Sequence, residues 1–136
     1  MPETLYFFED QKKEVLKESL LTDRAVDWAR KFIRPEDRQE TRLSSAQLRR
    51  FYSDVKSLSA RVNEQDFSKF KPIVKMLKSK VAYACPRTNV RDRKVPLSFK
   101  VFIDEMVDNV DDYRDFKAFC STFEAVVGYF YGEGGR

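Results

Sequence analysis

Residues 44–58 read Ser-Ser-Ala-Gln-Leu-Arg-Arg-Phe-Tyr-Ser-Asp-Val-Lys-Ser-Leu, and this stretch decides the fold class. Ser44, followed three residues later by Gln47, matches the capping-box pattern, in which a serine hydroxyl and a glutamine side chain satisfy the free N–H groups at a helix start. Apolar residues then recur every three or four positions, as they do along one face of an α-helix. That face comprises Leu48, Phe51, Tyr52, Val55 and Leu58. The stretch is therefore predicted to be an amphipathic helix.

Upstream of this helix, apolar residues at the same spacing of three or four positions indicate one further helix. A helix is predicted to begin at Thr22 or Asp23, either of which can cap it, and to end at Pro35 because proline breaks a helix interior. The almost entirely polar residues 34–43 are predicted to be a connection. Residues 1–20 are predicted to form an N-terminal arm or an extra helix.

The next helix downstream is predicted between Asp66 and Ala84. Pro72 is placed in its first turn, where the missing N–H is tolerated. The residues Cys85 to Pro96 follow as a loop. The inward face of this helix is predicted to comprise Ile73, Met76, Leu77, Val81 and Ala84.

Two further helices complete the pattern. One is predicted over Leu97–Val110, and the last is predicted to be capped by Asp111 or Asp112 and to end in the glycines at 132, 134 and 135. Only four glycines and five prolines interrupt the chain. The fold class is therefore all-α, a single small bundle of about five helices over residues 21–136.

The composition excludes several kinds of chemistry. The 136 residues include no histidine, so no Ser-His-Asp or Cys-His nucleophile and no His-containing zinc site can form. Cys85 and Cys120 are too few for a four-thiolate site or a disulfide framework. With no recognisable signal peptide and no long apolar run, a cytoplasmic protein without a membrane partner is predicted. The acids between Asp104 and Asp115 are expected to complement a helix dipole rather than to bind magnesium, so neither a catalytic residue, a metal nor a cofactor is predicted.

The charge is distributed unevenly along the chain. The formal net charge is +4, but residues 44–100 carry +10, residues 101–136 carry −5 and residues 1–43 carry −1. A block of this density attracts polyanions, because Lys and Arg contacts with phosphate provide most of the non-specific affinity for nucleic acid. A nucleic-acid partner is therefore predicted. The acidic region, including Asp104, Asp108 and Asp111, is expected to face basic surface of a neighbouring molecule.

The basic residues of this block fall on predicted helix edges. Arg49 and Lys56 lie two turns apart, with Tyr52 nearby, and Lys71, Lys75 and Lys78 share one side of the following helix. The two edges are predicted to form one continuous track for a phosphate backbone. Four cations of the loop are expected to extend around its end: Arg87, Arg91, Arg93 and Lys94.

Two other classes of protein share parts of this pattern. A helical DNA-binding module has a comparable basic block, although the connection between Leu58 and Phe67 contains Asn63 rather than the glycine of a helix-turn-helix. A protein-interaction adaptor accounts for the aromatic residues but leaves the basic block without a partner. The dependence of binding on salt separates these classes from a reader of the RNA backbone.

Three ordered segments resemble a known family. They are Ser44–Lys56, Met76–Ala84 and Phe119–Tyr129, and together they are similar to the small subunit of type III-A (Csm) CRISPR effector complexes. The resemblance covers roughly residues 40–130. The family usually has a glycine before its arginine where this chain has Cys85-Pro86-Arg87, and it more commonly has alanine at the position of Gly128.

The resemblance implies a non-catalytic helical subunit that takes part in RNA-guided antiviral defence. It implies stacking of neighbouring copies into a filament, contact with the backbone and other subunits of the Csm complex, and binding to the phosphates of guide RNA and target RNA. The family motifs assign RNA contacts to Arg49, Arg50, Lys78 and Lys80, and the charge pattern adds Lys56, Lys75, Arg87 and Arg91.

Overall fold

The computed structural model describes residues 5–136 and contains six α-helices. The first four residues of the predicted N-terminal arm lie outside the described residues. The helices are α1 (Asp23–Ile33), α2 (Ser45–Arg61), α3 (Phe67–Lys75), α4 (Leu77–Ala84), α5 (Leu97–Asp108) and α6 (Tyr113–Gly132). Only Met76 separates α3 from α4, so the six helices make five helical units. Residues 5–136 contain no β-strand beyond the isolated Phe8–Leu16 pairing, and the all-α prediction is confirmed. None of the described helices has the length and apolarity needed to cross a membrane.

Helix α2 begins where its sequence predicts, but among the described residues only the serine half of the predicted capping box forms. The N–H of Gln47 donates to Ser44 Oγ at 3.2 Å, which satisfies one free donor of the first turn. Leu48, Phe51 and Val55 are buried, while Tyr52 is half-buried. The predicted inward face of α2 is therefore confirmed, with Tyr52 at its edge.

The predicted bounds of the following helical segment, Asp66 and Ala84, are confirmed apart from the break at Met76, but the placing of Pro72 in its first turn is wrong. The helix begins at Phe67, so Pro72 lies in the interior of α3 rather than in its first turn. Pro72 is exposed, and so is Ser68, the residue whose carbonyl the missing N–H would have bonded.

The earlier start also moves the inward face of α3 and α4. Counting from Phe67, the stripe of packed residues follows spacings of three and four and includes Val74 in place of Ile73. Ile73 and Met76 are 41% and 57% exposed, so their predicted burial is wrong. The packed stripe comprises Phe67, Phe70, Val74, Leu77, Val81 and Ala84.

Aromatic side chains form the centre of the core. The ring centroids of Phe32 and Phe99 are 5.2 Å apart, and those of Phe102 and Phe123 are 5.6 Å apart, both in edge-to-face orientation. These rings come from α1, α5 and α6, and α1 packs on both of the other helices. Helix α2 packs on α6, and α4 packs on α5. The α2 and α4 helices thereby keep their outer faces for other contacts.

Residues 5–22 belong to the same core. Phe7, Phe8 and Leu20 are buried, and the chain folds back on itself through a hydrogen bond from Glu9 N–H to Val15 O (2.8 Å). A short 3-10 helix, Glu18–Leu21, leads into α1. The described part of this segment therefore contains no α-helix before Asp23, and it is anchored by buried aromatic residues.

The start of α6 is held by carboxylates. Asp112 accepts a hydrogen bond from Asp115 N–H at 2.9 Å, and Asp115 in turn accepts one from Asp112 N–H at 3.3 Å, which forms a complete capping box. The Nζ of Lys13 lies 2.7 Å from Asp112 and 2.9 Å from Asp115. Asp112 is thus the cap of the two predicted candidates, and it also ties the N-terminal segment to the bundle.

Candidate nucleic-acid interface

A basic groove lies between α2 and α4 on the outside of the bundle. Its volume is about 410 Å³. Arg50, Lys80 and Lys94 bring three cations to its lining, and among the described residues Asp54 is the one acid in it. The remaining lining residues are Gln47, Phe51, Met76, Ser79, Tyr83 and Ala84. We call this feature the α2–α4 groove.

The cations around this groove differ in their local partners. Lys80 Nζ pairs with Asp54 at 3.2 Å, and Lys94 Nζ lies 5.4 Å from the centre of the Tyr83 ring. Arg49 and Arg50 are exposed, and no carboxylate of residues 5–136 lies within 4.0 Å of either guanidinium. Such unneutralised arginines present planar donor forks that suit phosphate oxygens.

The connection between α4 and α5 adds two further free arginines. Arg87 and Arg91 are exposed and have no carboxylate within 4.0 Å in the described part of the chain. Arg93, in contrast, is largely buried, pairs with Glu40 at 2.8 Å and donates from Nε to Pro86 O at 2.9 Å. Arg93 therefore fixes the loop, while Arg87 and Arg91 remain available to a ligand.

The lysine edge of α3 and α4 contacts the end of α5. Lys71 pairs with Asp111 at 2.9 Å, Lys78 pairs with Asp108, and Lys75 Nζ donates to the carbonyl oxygens of Val107 and Val110, each at 2.7 Å. Burial lowers the pKa of Lys75, and the hydrogen bond to Asp108 raises the pKa of Lys78. In the isolated fold the ammonium groups of this edge have partners at the end of α5, so the continuous track with α2 stays a prediction.

Comparison with known proteins identifies the family. The family model described as Csm2 Type III-A matches residues 16–135. The chain belongs to the Csm2 type III-A family. No curated protein and no solved structure gives a significant match. Membership confirms the resemblance found in the sequence and makes the chain a structural subunit of the type III-A CRISPR interference complex, associated with other Csm subunits.

In this Csm2 chain, the acids of α5 and of its connection to α6 contact groups of the same molecule. Asp104 pairs with Lys100 at 2.6 Å, and Glu105 accepts a hydrogen bond from Tyr6 at 2.8 Å. Asp108 and Asp111 pair with the lysine edge described above, and contact of these acids with a neighbouring molecule stays a prediction. Across residues 5–136, no group of three or more Asp, Glu, Cys or His side chains is arranged to hold a metal ion.

Lys56 lies away from the α2–α4 groove. Its Nζ is 5.5 Å from the centre of the Tyr52 ring, in a second groove between α2 and α6 that also includes Glu124. Cys120 lines the same groove, and burial raises the pKa of its thiol to about 11. The structure thus brings Arg50 and Lys80 together among the predicted residues, and it separates Lys56, Lys75 and Lys78 from them.

Sequence reasoning missed the aromatic residue of the α2–α4 groove. Tyr83 is 81% exposed, although it lies between the buried residues Val81 and Ala84. A residue two positions after an inward residue of a helix points to the opposite side, because each step turns the helix by about 100°. The buried stripe through Val81 and Ala84 was therefore the signal that places Tyr83 outside.

Proposed function

We propose that this Csm2 chain binds the phosphate backbone of guide RNA and target RNA within the complex, without sequence preference. The observation that supports this most directly is the set of exposed cations without carboxylate partners among the described residues: Arg49, Arg50, Arg87 and Arg91. Contacts of this kind release counterions from the nucleic acid and need no base reading. Sequence recognition is left to the pairing of guide and target.

The proposed surface is centred on the α2–α4 groove. Arg50, Lys80 and Lys94 line it, and Arg49 neighbours Arg50 on α2. Arg87 and Arg91 extend the positive charge along the connection that also carries Lys94. Lys56, in the groove between α2 and α6, and Lys75 and Lys78, which contact the end of α5, are proposed as RNA contacts outside the α2–α4 groove.

The test is a double charge reversal, Arg49→Glu with Arg50→Glu, in the complete complex. A matched control is Arg34→Glu with Arg38→Glu, because these arginines are also exposed, lie outside the groove and change the net charge equally. Co-purified RNA and the affinity for added target RNA are measured for both. We expect the first variant to lose RNA and the control to retain it.

Salt dependence gives a second readout of the same surface. Each lost phosphate contact lowers the slope of log affinity against log salt by roughly 0.7 for a single strand and roughly 0.9 for B-form duplex. The Arg49/Arg50 variant should therefore show a shallower slope than the control for every RNA sequence. An unchanged slope together with unchanged RNA retention would contradict the assignment of RNA binding to this surface. Equal or tighter binding to DNA duplex would favour the DNA-binding alternative, and no salt-dependent binding at all would favour an adaptor.

We also propose that neighbouring copies stack in the complex and that the chain has no nuclease activity. An apolar groove between α1 and α5 supports the stacking proposal, because Leu97 and Val101 are 47% and 54% exposed there beside the acids Glu36 and Asp37. Val101→Glu should lower self-association in light scattering, whereas Tyr131→Glu, at an exposed position outside the groove, should not. RNA incubated with the purified chain and magnesium should remain intact.

A further inference from the structure

The most exposed aromatic residue in the described chain borders the basic groove. Tyr83 is 81% exposed, and Met76, 57% exposed, lines the same groove. Burying either side chain in the core would have been favourable, since apolar area removed from water stabilises a fold. Single exposed apolar residues are ordinary on protein surfaces, so the surroundings of Tyr83 decide whether it binds something.

The surroundings of Tyr83 are cationic. Lys94 Nζ lies 5.4 Å from the ring centre, and Arg50 and Lys80 line the groove beside it. Asp54 neutralises only Lys80, so the groove keeps an excess of positive charge. An aromatic ring flanked by cations is the arrangement that binds single-stranded nucleic acid, in which a base stacks on the ring while the cations hold the phosphates.

We propose that Tyr83 is a stacking platform for one unpaired RNA base, with Arg50, Lys80 and Lys94 holding the adjoining phosphates. The groove volume of about 410 Å³ lies within the roughly 300–1,000 Å³ typical of small-ligand sites. The base must be unpaired, because the faces of bases inside a duplex are covered by their neighbours. This inference rests on the proposed RNA-binding function but adds a contact to bases, which a reader of the backbone alone does not make.

The test compares three short single-stranded RNAs on the full chain. They are an oligoadenylate, the same oligomer with 2-aminopurine at one position, and an oligomer of identical charge that carries abasic riboses. Wild type should bind the oligoadenylate more tightly than the abasic oligomer and should quench the 2-aminopurine fluorescence. Tyr83→Ala should weaken oligoadenylate binding by about 5- to 150-fold and leave abasic binding unchanged.

Two further variants separate this inference from the proposed function. Tyr83→Phe keeps the ring and should retain both affinity and quenching, whereas Arg50→Glu should weaken binding to the abasic oligomer as well. Equal binding of oligoadenylate by wild type and Tyr83→Ala, with the loss in Arg50→Glu preserved, would overturn the stacking site and keep the backbone function. No binding by wild type to any of the three RNAs would overturn both. Loss of other Csm subunits from Tyr83→Ala complexes, with RNA affinity unchanged, would also overturn it and assign Tyr83 to a protein contact.

Discussion

Replacing Lys75 by methionine separates stability from RNA binding. Its Nζ donates two hydrogen bonds of 2.7 Å, to the carbonyl oxygens of Val107 and Val110, at the end of α5. These carbonyls belong to the last turn and the exit of a helix, where a cation also compensates the negative end of the helix dipole. Lys75→Met keeps an unbranched side chain as far as Cε and removes the ammonium group, with both hydrogen bonds and the charge.

The expected loss of stability follows from these contacts. A hydrogen bond that involves a charged group contributes about 1.5–3 kcal/mol, so two of them give about 3–6 kcal/mol before any offset. The partial burial that lowers the pKa of Lys75 shows that the ammonium is desolvated, and removing it recovers part of this cost. We therefore expect the free energy of unfolding to fall by about 2 kcal/mol.

Urea denaturation followed by circular dichroism measures this change. With a slope of about 2 kcal/mol per M, the midpoint should fall by about 1 M. Arg50→Met is the matched control, since Arg50 has no carboxylate partner among the described residues and its midpoint should not move. RNA affinity should rank the two variants the other way: Arg50→Met should bind RNA more weakly than Lys75→Met. A midpoint of Lys75→Met within about 0.2 M of wild type would refute the structural role assigned to Lys75.

Three other predictions concern the acids and one thiol. Asp112→Ala removes the cap of α6 and should lower the free energy of unfolding by about 1 kcal/mol in urea titrations. An unchanged urea midpoint would contradict the role of Asp112 as the cap. The hydrogen bond from Lys71 lowers the pKa of Asp111, so this stabilisation exists above the unfolded-state pKa of about 3.9 and is lost as pH falls through the folded pKa. Thermal melts from about pH 5 to about 3 should therefore decline more steeply for wild type than for Asp111→Asn, and parallel curves would refute the pair. Burial raises the pKa of Cys120 to about 11, so iodoacetamide should alkylate it at least about tenfold more slowly than free cysteine at pH 8, whereas an equal rate would contradict its burial.

The helices and most of the core could be predicted because their signals are local. The spacing of Leu48, Phe51 and Val55 already contains the geometry of α2, and no distant residue is needed to interpret it. The error at Ile73 arose where two local signals disagreed. Pro72 favoured a late helix start, whereas the apolar stripe from Phe67 favoured an early one, and burial of that stripe decided the outcome.

The candidate site was predictable only in part, because charge pairing is not local. Lys78 and Asp108 are thirty residues apart in sequence, and Lys13 is 102 residues from Asp115, yet both pairs form in the fold. A count of charges along the chain cannot show which cations are neutralised in this way. The family motifs do not show which cations are neutralised either, because they assign the same role to Lys78 and Lys80. In the fold, Lys78 pairs with an acid of α5 and Lys80 pairs with an acid of α2.

Under the proposed RNA-binding function, the separation of paired from unpaired cations restricts the part of the surface that contacts RNA. If every lysine and arginine of residues 44–100 bound phosphate, the chain could lie on RNA in many orientations with similar affinity. Intramolecular pairing removes the lysine edge of α3 and α4 from this competition and leaves the free arginines beside the α2–α4 groove. A structural subunit must hold one orientation on its RNA, because phosphate contacts fix register and orientation rather than sequence. On the proposed function, Asp108 acts on RNA binding indirectly by holding Lys78. Asp108→Asn should then free Lys78 and increase non-specific RNA affinity, and Asp104→Asn, which frees Lys100 on α5, gives the comparison.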